Sequence, residues 1–134
     1  HLFEKFEKIS PRDKPEYREY RKNLKVEAEE KCMIDGVTKY CKCSHLKPFQ
    51  YCLDMGLDEE AFDSDNGIYV NYDLDIHLDQ GKITWTNDGK ILFSDDFPQD
   101  KIKDYKNSNI PEKYLTPERL KYLEHHRKEV FNRG

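Results

Sequence analysis

The segment IYVNYDLDIHL, residues 68–78, constrains the fold more than any other. Ile68, Val70, Tyr72, Leu74, Ile76 and Leu78 alternate with Tyr69, Asn71, Asp73, Asp75 and His77. Successive side chains of a strand point to opposite faces, so this spacing predicts one long strand with an apolar face and a wet face. Gln80-Gly81 then turns the chain into KITWT, where Ile83 and Trp85 share a face. Asn87-Asp88-Gly89 turns it again into KILFS, where Ile91 and Phe93 share one. Residues 68–94 therefore read as an antiparallel β-meander, and its apolar face must be covered.

Two helices offer the cover. Pro15 suits a first helical turn, and Tyr17, Tyr20, Leu24 and Ala28 form a stripe through to Glu30, with Arg18, Glu19, Arg21 and Lys22 toward water. At the other end, Thr116-Pro117-Glu118 sets an N-cap and a first-turn proline for a helix over 116–132. Leu120, Leu123, Val130 and Phe131 lie on its buried side, and His125, His126, Arg127 and Lys128 lie near its negative end. Ahead of both, residues 1–14 form an N-terminal arm in which Leu2, Phe6 and Ile9 share a helical face until Ser10-Pro11 ends it. The fold class is thus a single small α+β domain over residues 1–134. Apolar residues are 36% and charged residues 37%, so its core must be economical.

Charge narrows the function. A net charge of -4 argues against a general nucleic-acid role, which needs a positive field. No apolar run approaches the roughly 18 residues of a membrane span, and no signal-type segment is present, so any targeting peptide has been removed or never existed. Residues 53–79 hold 9 acidic residues and no Lys or Arg. Within them, 53–67 reads as an acidic linker. Asp58, Glu59, Glu60, Asp63, Asp65, Asp73 and Asp75 are the candidate partner-binding residues, suited to a protein with a basic surface. Calcium on Asp63, Asp65 and Asp75 is the alternative, with the glycine one position early for a twelve-residue loop.

All four cysteines fall within residues 32–52, as C-x8-C-x-C-x8-C: Cys32, Cys41, Cys43 and Cys52. This bunching suits two disulfides in an oxidising compartment, stapling a hairpin that turns at Asp35-Gly36 to the loop behind it. Cys32 would pair with Cys41 or Cys43, and the remaining one with Cys52. Direct Cys41–Cys43 pairing is disfavoured, because alternate strand residues sit about 6–7 Å apart. A zinc or iron-sulfur site on the four thiols, with His45 as a further ligand, is the competitor.

The run CMIDGVTKYCKCSHLKPFQYC resembles the second half of an epidermal-growth-factor-like module, which implies a terminal Cys43–Cys52 disulfide. The run YCKCSHLKPFQYCLDMG resembles the CDGSH iron-sulfur motif, which implies a [2Fe-2S] cluster on Cys41, Cys43 and Cys52, although Gly56 stands where that family has its histidine ligand. Each resemblance covers about 20 residues.

No nucleophile elbow, zincin helix, P-loop or G-x-G-x-x-G occurs, and His1, His45, His77, His125 and His126 sit in no catalytic string. The sequence reads as a non-enzymatic, disulfide-stabilised protein-interaction module or accessory subunit, without cofactor, in the extracellular space or a secretory lumen. A metalloprotein in an organelle or the cytoplasm, or a small enzyme with dispersed catalytic residues, are the alternatives.

Overall fold

The computed structural model describes residues 9–132. Leu2, Phe3 and Phe6 of the N-terminal arm lie outside the described residues, and the arm ends in a 3-10 turn, Pro11–Asp13. Helix α1 (Pro15–Glu27) starts at its proline and buries Tyr20 and Leu24, with Ala28 buried just beyond its end, as the stripe predicts. Strand β1 (Cys41–His45) pairs antiparallel with β2 (Gly67–Asn71), and Cys43 lies opposite Tyr69. Between them run two short helices, α2 (Phe49–Asp54) and α3 (Asp58–Ala61). Helix α4 (Tyr72–Asp79) follows β2 directly.

The β1–β2 sheet is sandwiched between helices. On one face, His45 stacks on Tyr20 of α1 at 4.5 Å between ring centroids. On the other, Ser44 donates to Asp75 of α4. Gly67 allows α1 to settle this closely, since a Cβ there would lie 2.6 Å from Leu24 Cδ2 and 2.7 Å from the Tyr20 hydroxyl. A second sheet pairs β3 (Ile83–Trp85) with β4 (Ile91–Phe93), with Ile83 opposite Phe93. After α5 (Ile102–Tyr105), helix α6 (Pro117–His125) begins at Thr116, whose hydroxyl accepts from the Arg119 amide at 3.1 Å, and one π-type turn, His126–Val130, extends it. No helix among the described residues is long and apolar enough to cross a membrane.

The β-meander over 68–94 is overturned. The described residues form two separate two-stranded antiparallel sheets, because the long strand stops at Asn71. The Asn71 side chain accepts from the Leu74 amide at 2.9 Å and caps α4. Residues 72–79 then follow the helical period: Leu74, Asp75 and Leu78 are buried, and the expected core residues Tyr72 and Ile76 are 48% and 52% exposed.

The cysteine staple is overturned as well. All four cysteines are free thiols, so neither disulfide stabilisation nor either resemblance is supported. Asp35-Gly36 does turn the chain, with Gly36 at φ 78° and the Cys32 amide bonded to the Val37 carbonyl, but no strands flank it and β1 begins only at Cys41. Cys32 is packed in the main core, while Cys52 belongs to a small satellite core with Phe49 and Ala61. Cys41 and Cys43 lie on one face of β1, where strand geometry holds them apart.

Candidate functional site

The outer edge of β1 forms the floor of a cleft of about 470 Å³ between α1 and α4. Arg12, Arg21 and Lys25 wall it on the α1 side. Lys42 of β1 stands on the α4 side with Asp75 and Asp79. The spacing of the α1 residues explains the first wall: Arg18, Arg21, Lys22 and Lys25 follow the helical i, i+3, i+4, i+7 pattern opposite the Tyr20 and Leu24 stripe. Arg12 is laid over the Phe49 ring at 4.5 Å. Lys42 lies 5.5 Å from the Tyr72 ring and 3.9 Å from the Asp75 carboxylate.

Electrostatics inside the cleft follow from this layout. Burial, and then the neighbouring Asp75, push the Asp79 carboxyl up, against the pull of Lys42 and Arg12. The thiols of Cys41 and Cys43 also face this region. Burial raises both, and at Cys43 it outweighs Lys25 and Arg21, so neither thiol is activated as a nucleophile. Ser44 is 3% exposed and its hydroxyl is tied to Asp75, while the adjacent His45 turns to the opposite face of the sheet.

His45 is held by its own neighbours. Its Nε2 lies 2.8 Å from the Ala61 carbonyl, so this nitrogen carries the proton, and Nδ1 accepts from the Tyr20 hydroxyl at 3.4 Å. Burial lowers its pKa to about 4 and keeps the ring neutral. Among the described residues no group of three or more His, Cys, Asp or Glu side chains converges on a metal position. The zinc and iron-sulfur readings of Cys32, Cys41, Cys43, Cys52 and His45, and the calcium reading, therefore find no supporting site.

The acidic segment is put to several internal uses. Asp63 accepts from the Tyr122 hydroxyl at 2.8 Å, Asp65 accepts from Thr116 at 3.1 Å, and Glu60 pairs with Lys47 at 2.6 Å. Asp73 accepts from the Tyr105 hydroxyl and lies 3.6 Å from His77. Burial and this contact push the Tyr105 hydroxyl up to about 12. With Asp75 bonded to Ser44, Asp58 and Glu59 are the exposed residues of the candidate set that make no side-chain bond to another described residue.

Sequence reasoning missed Arg12, Arg21, Lys25 and Lys42 as site residues, and read Arg21 only as a residue turned toward water. The basic face of α1 was visible in the spacing of its cations. The partner wall was not, because β1 lacks a period-2 apolar pattern and reads as loop. No protein-family model matches the chain, and no curated protein matches it.

Proposed function

We propose that the domain is a protein-binding module that takes an acidic segment of its partner into the cleft between α1 and α4. One observation carries this reading: in a chain of net charge -4, Arg12, Arg21 and Lys25 converge on one cleft and form no ion pair with any described residue. Cations held in no salt bridge raise the local concentration of an anionic ligand and speed its association. The raised thiols and the neutral His45 favour binding over catalysis. Asp75 and Asp79 on the far wall favour a peptide over a nucleic acid, whose uniform phosphate backbone they would repel.

Fluorescence anisotropy with a labelled peptide of alternating Glu and Thr, about eight residues long, tests it against the same peptide with Lys for Glu. The Glu peptide is expected to bind and to weaken about tenfold or more in roughly 0.5 M salt. The pair Arg21→Gln with Lys25→Gln should lose about tenfold, while Arg18→Gln with Lys22→Gln, further out on α1, should not. Equal binding of the two peptides, loss through the outer pair instead, or an oligothymidylate competing as well as the Glu peptide would each overturn the reading.

A further inference from the structure

The floor of the cleft says how such a segment would be held. Antiparallel ladders alternate hydrogen-bonded and non-hydrogen-bonded pairs. The Tyr72 amide bonds the Tyr40 carbonyl at 2.8 Å and the Leu46 amide bonds the Asn66 carbonyl at 3.0 Å, on either side of the β1–β2 register. Lys42 and Ser44 therefore occupy the hydrogen-bonded positions facing Val70 and Ile68. The backbone N–H and C=O groups of Cys41, Cys43 and His45 point the other way, along the outer edge of β1. No described residue bonds to the backbone groups of Cys43 on that edge. Among the described residues no strand lies beyond β1, and all five of its residues line the cleft.

We infer that the partner segment enters as an extended strand that pairs with the outer edge of β1 and extends the sheet to three strands, its acidic side chains on alternate residues turned toward α1. The inference rests on the proposed acidic-segment reading and adds its geometry. An edge strand is a template for another strand, with main-chain bonds giving affinity and the flanking walls giving specificity. Side chains of the added strand alternate between the two faces of the sheet. Those on the Cys41, Cys43 and His45 face meet Arg12, Arg21 and Lys25. Those on the Lys42 and Ser44 face meet Asp75, Asp79 and Tyr72, where neutral residues fit. The two walls thus demand acidic and neutral residues in alternation.

A second copy of the chain is the competing occupant. Edge-to-edge pairing of two β1 strands would set Arg21, Lys25 and Lys42 of one copy against the same cations of the other, and a lysine on an edge strand is a familiar obstacle to self-pairing. At its Cys41 end the cleft opens toward Tyr40, 77% exposed, which lies 6.5 Å from Tyr72 between ring centroids. A segment longer than β1 would run out over this aromatic pair.

The test uses the alternating Glu/Thr peptide and a peptide of the same residues in blocks, Glu first and Thr after. The alternating peptide is expected to bind about tenfold more tightly, since only it can place every carboxylate on the α1 side. N-methylation at single peptide residues, which removes one main-chain donor and leaves the side chains alone, should cost about tenfold at every second residue and little between. On saturation, amide exchange at Cys41, Cys43 and His45 should slow at least about tenfold, with no comparable change at Lys42 and Ser44, which are already bonded to β2. Tight binding that keeps its acidic preference but shows no parity in the N-methyl scan and no protection on the β1 edge would sink the strand mode alone. Loss of the acidic preference would sink the underlying reading with it. Protection of the same three amides without peptide, together with a dimer by sedimentation, would replace the peptide by a second copy.

Discussion

Arg119 and Glu27, 92 residues apart in the sequence, form a two-pronged ion pair: Nη1 donates to one carboxylate oxygen at 2.8 Å and Nη2 to the other at 2.7 Å. The remaining guanidinium donors are also satisfied. Nε donates to the Gly67 carbonyl at 2.9 Å, Nη1 to Tyr114 at 2.9 Å and Nη2 to Ser64 at 3.2 Å. Arg119 is fully buried, so one side chain ties α6 to the end of α1, the start of β2 and the turns at 64 and 114. It thereby fixes α1 against the sheet whose edge floors the cleft.

Removing either partner breaks the two-pronged pair. Glu27→Ala should cost about 3 kcal/mol, because it leaves the buried guanidinium only the longer 3.8 Å contact with Asp65 as counter-charge. Arg119→Lys should also destabilise, since an ammonium has three donors and no planar fork to replace the five bonds of the guanidinium. Urea melts measure both. A midpoint within error of wild type for Glu27→Ala would show that the pair contributes nothing net.

Helix α4 makes a sharper ranking. Leu74→Ala removes a buried side chain and should cost about 2–5 kcal/mol, whereas Ile76→Ala removes a half-exposed one and should change stability by less than about 1 kcal/mol. Asn71→Ala should cost about 1 kcal/mol by deleting the cap of α4. A single long strand over 68–78 demands the reverse for Ile76, which would then cost as much as Leu74. Denaturant melts of the three variants decide between the two.

The same residues show why the sequence was only partly legible. Leu74 and Leu78 are four apart, which is an even number for a strand and about one turn for a helix, so both periods fit them. Only Asn71 distinguishes the two, as a cap before a carboxylate-bearing first turn, and its signal is local while the alternation is long. Helix α1 and the Thr116 cap were readable because their cues do not compete. Strand β1 was not, because its residues CKCSH derive their conformation from pairing with β2, and Cys, Lys and Ser carry no strand pattern. The cysteine spacing suggested covalent closure, but spacing along the chain says nothing of where thiols sit in space. Here two are packed in different cores and two share one strand face. The cleft was half legible: the cations of α1 have helical spacing, whereas Lys42 and Asp75 meet only through tertiary packing.

Two buried histidines predict acid sensitivity. In His126, Nε2 faces the Leu78 carbonyl at 3.0 Å and must carry the proton, leaving Nδ1 to accept from the Thr84 hydroxyl at 2.8 Å. Burial lowers the pKa of His126 to about 4, as it does that of His45. Both fall below the unfolded value, so protonation favours the unfolded chain. The stability they support is complete above about pH 6.5 and is lost as pH falls toward 4. Down to about pH 5 most carboxylates are still ionised, so the decline from pH 6.5 to 5 belongs chiefly to the histidines, at roughly 1–2 kcal/mol each. Guanidinium melts at these two pH values should show it, and His126→Gln should flatten the slope. A stability constant across this window would rule out buried neutral rings.

Thiol reactivity tests the arrangement of the four cysteines. The native protein should show the mass of the fully reduced chain, about 4 Da above a form with two disulfides. Cys41 and Cys43, which line the cleft and are partly exposed, should alkylate with iodoacetamide in the folded state. They should do so slowly near neutral pH, because burial holds both thiols above their ordinary pKa. Cys32 and Cys52, 3% and 0% exposed, should react only when denaturant opens the two cores. Peptide mapping after short and long labelling separates the pairs. Saturating the cleft with the alternating acidic peptide should protect Cys43 most, since it lies at the middle of β1, and leave the behaviour of Cys32 and Cys52 unchanged. Uniform labelling of all four, or a native mass lower by 4 Da, would contradict this placement of the thiols.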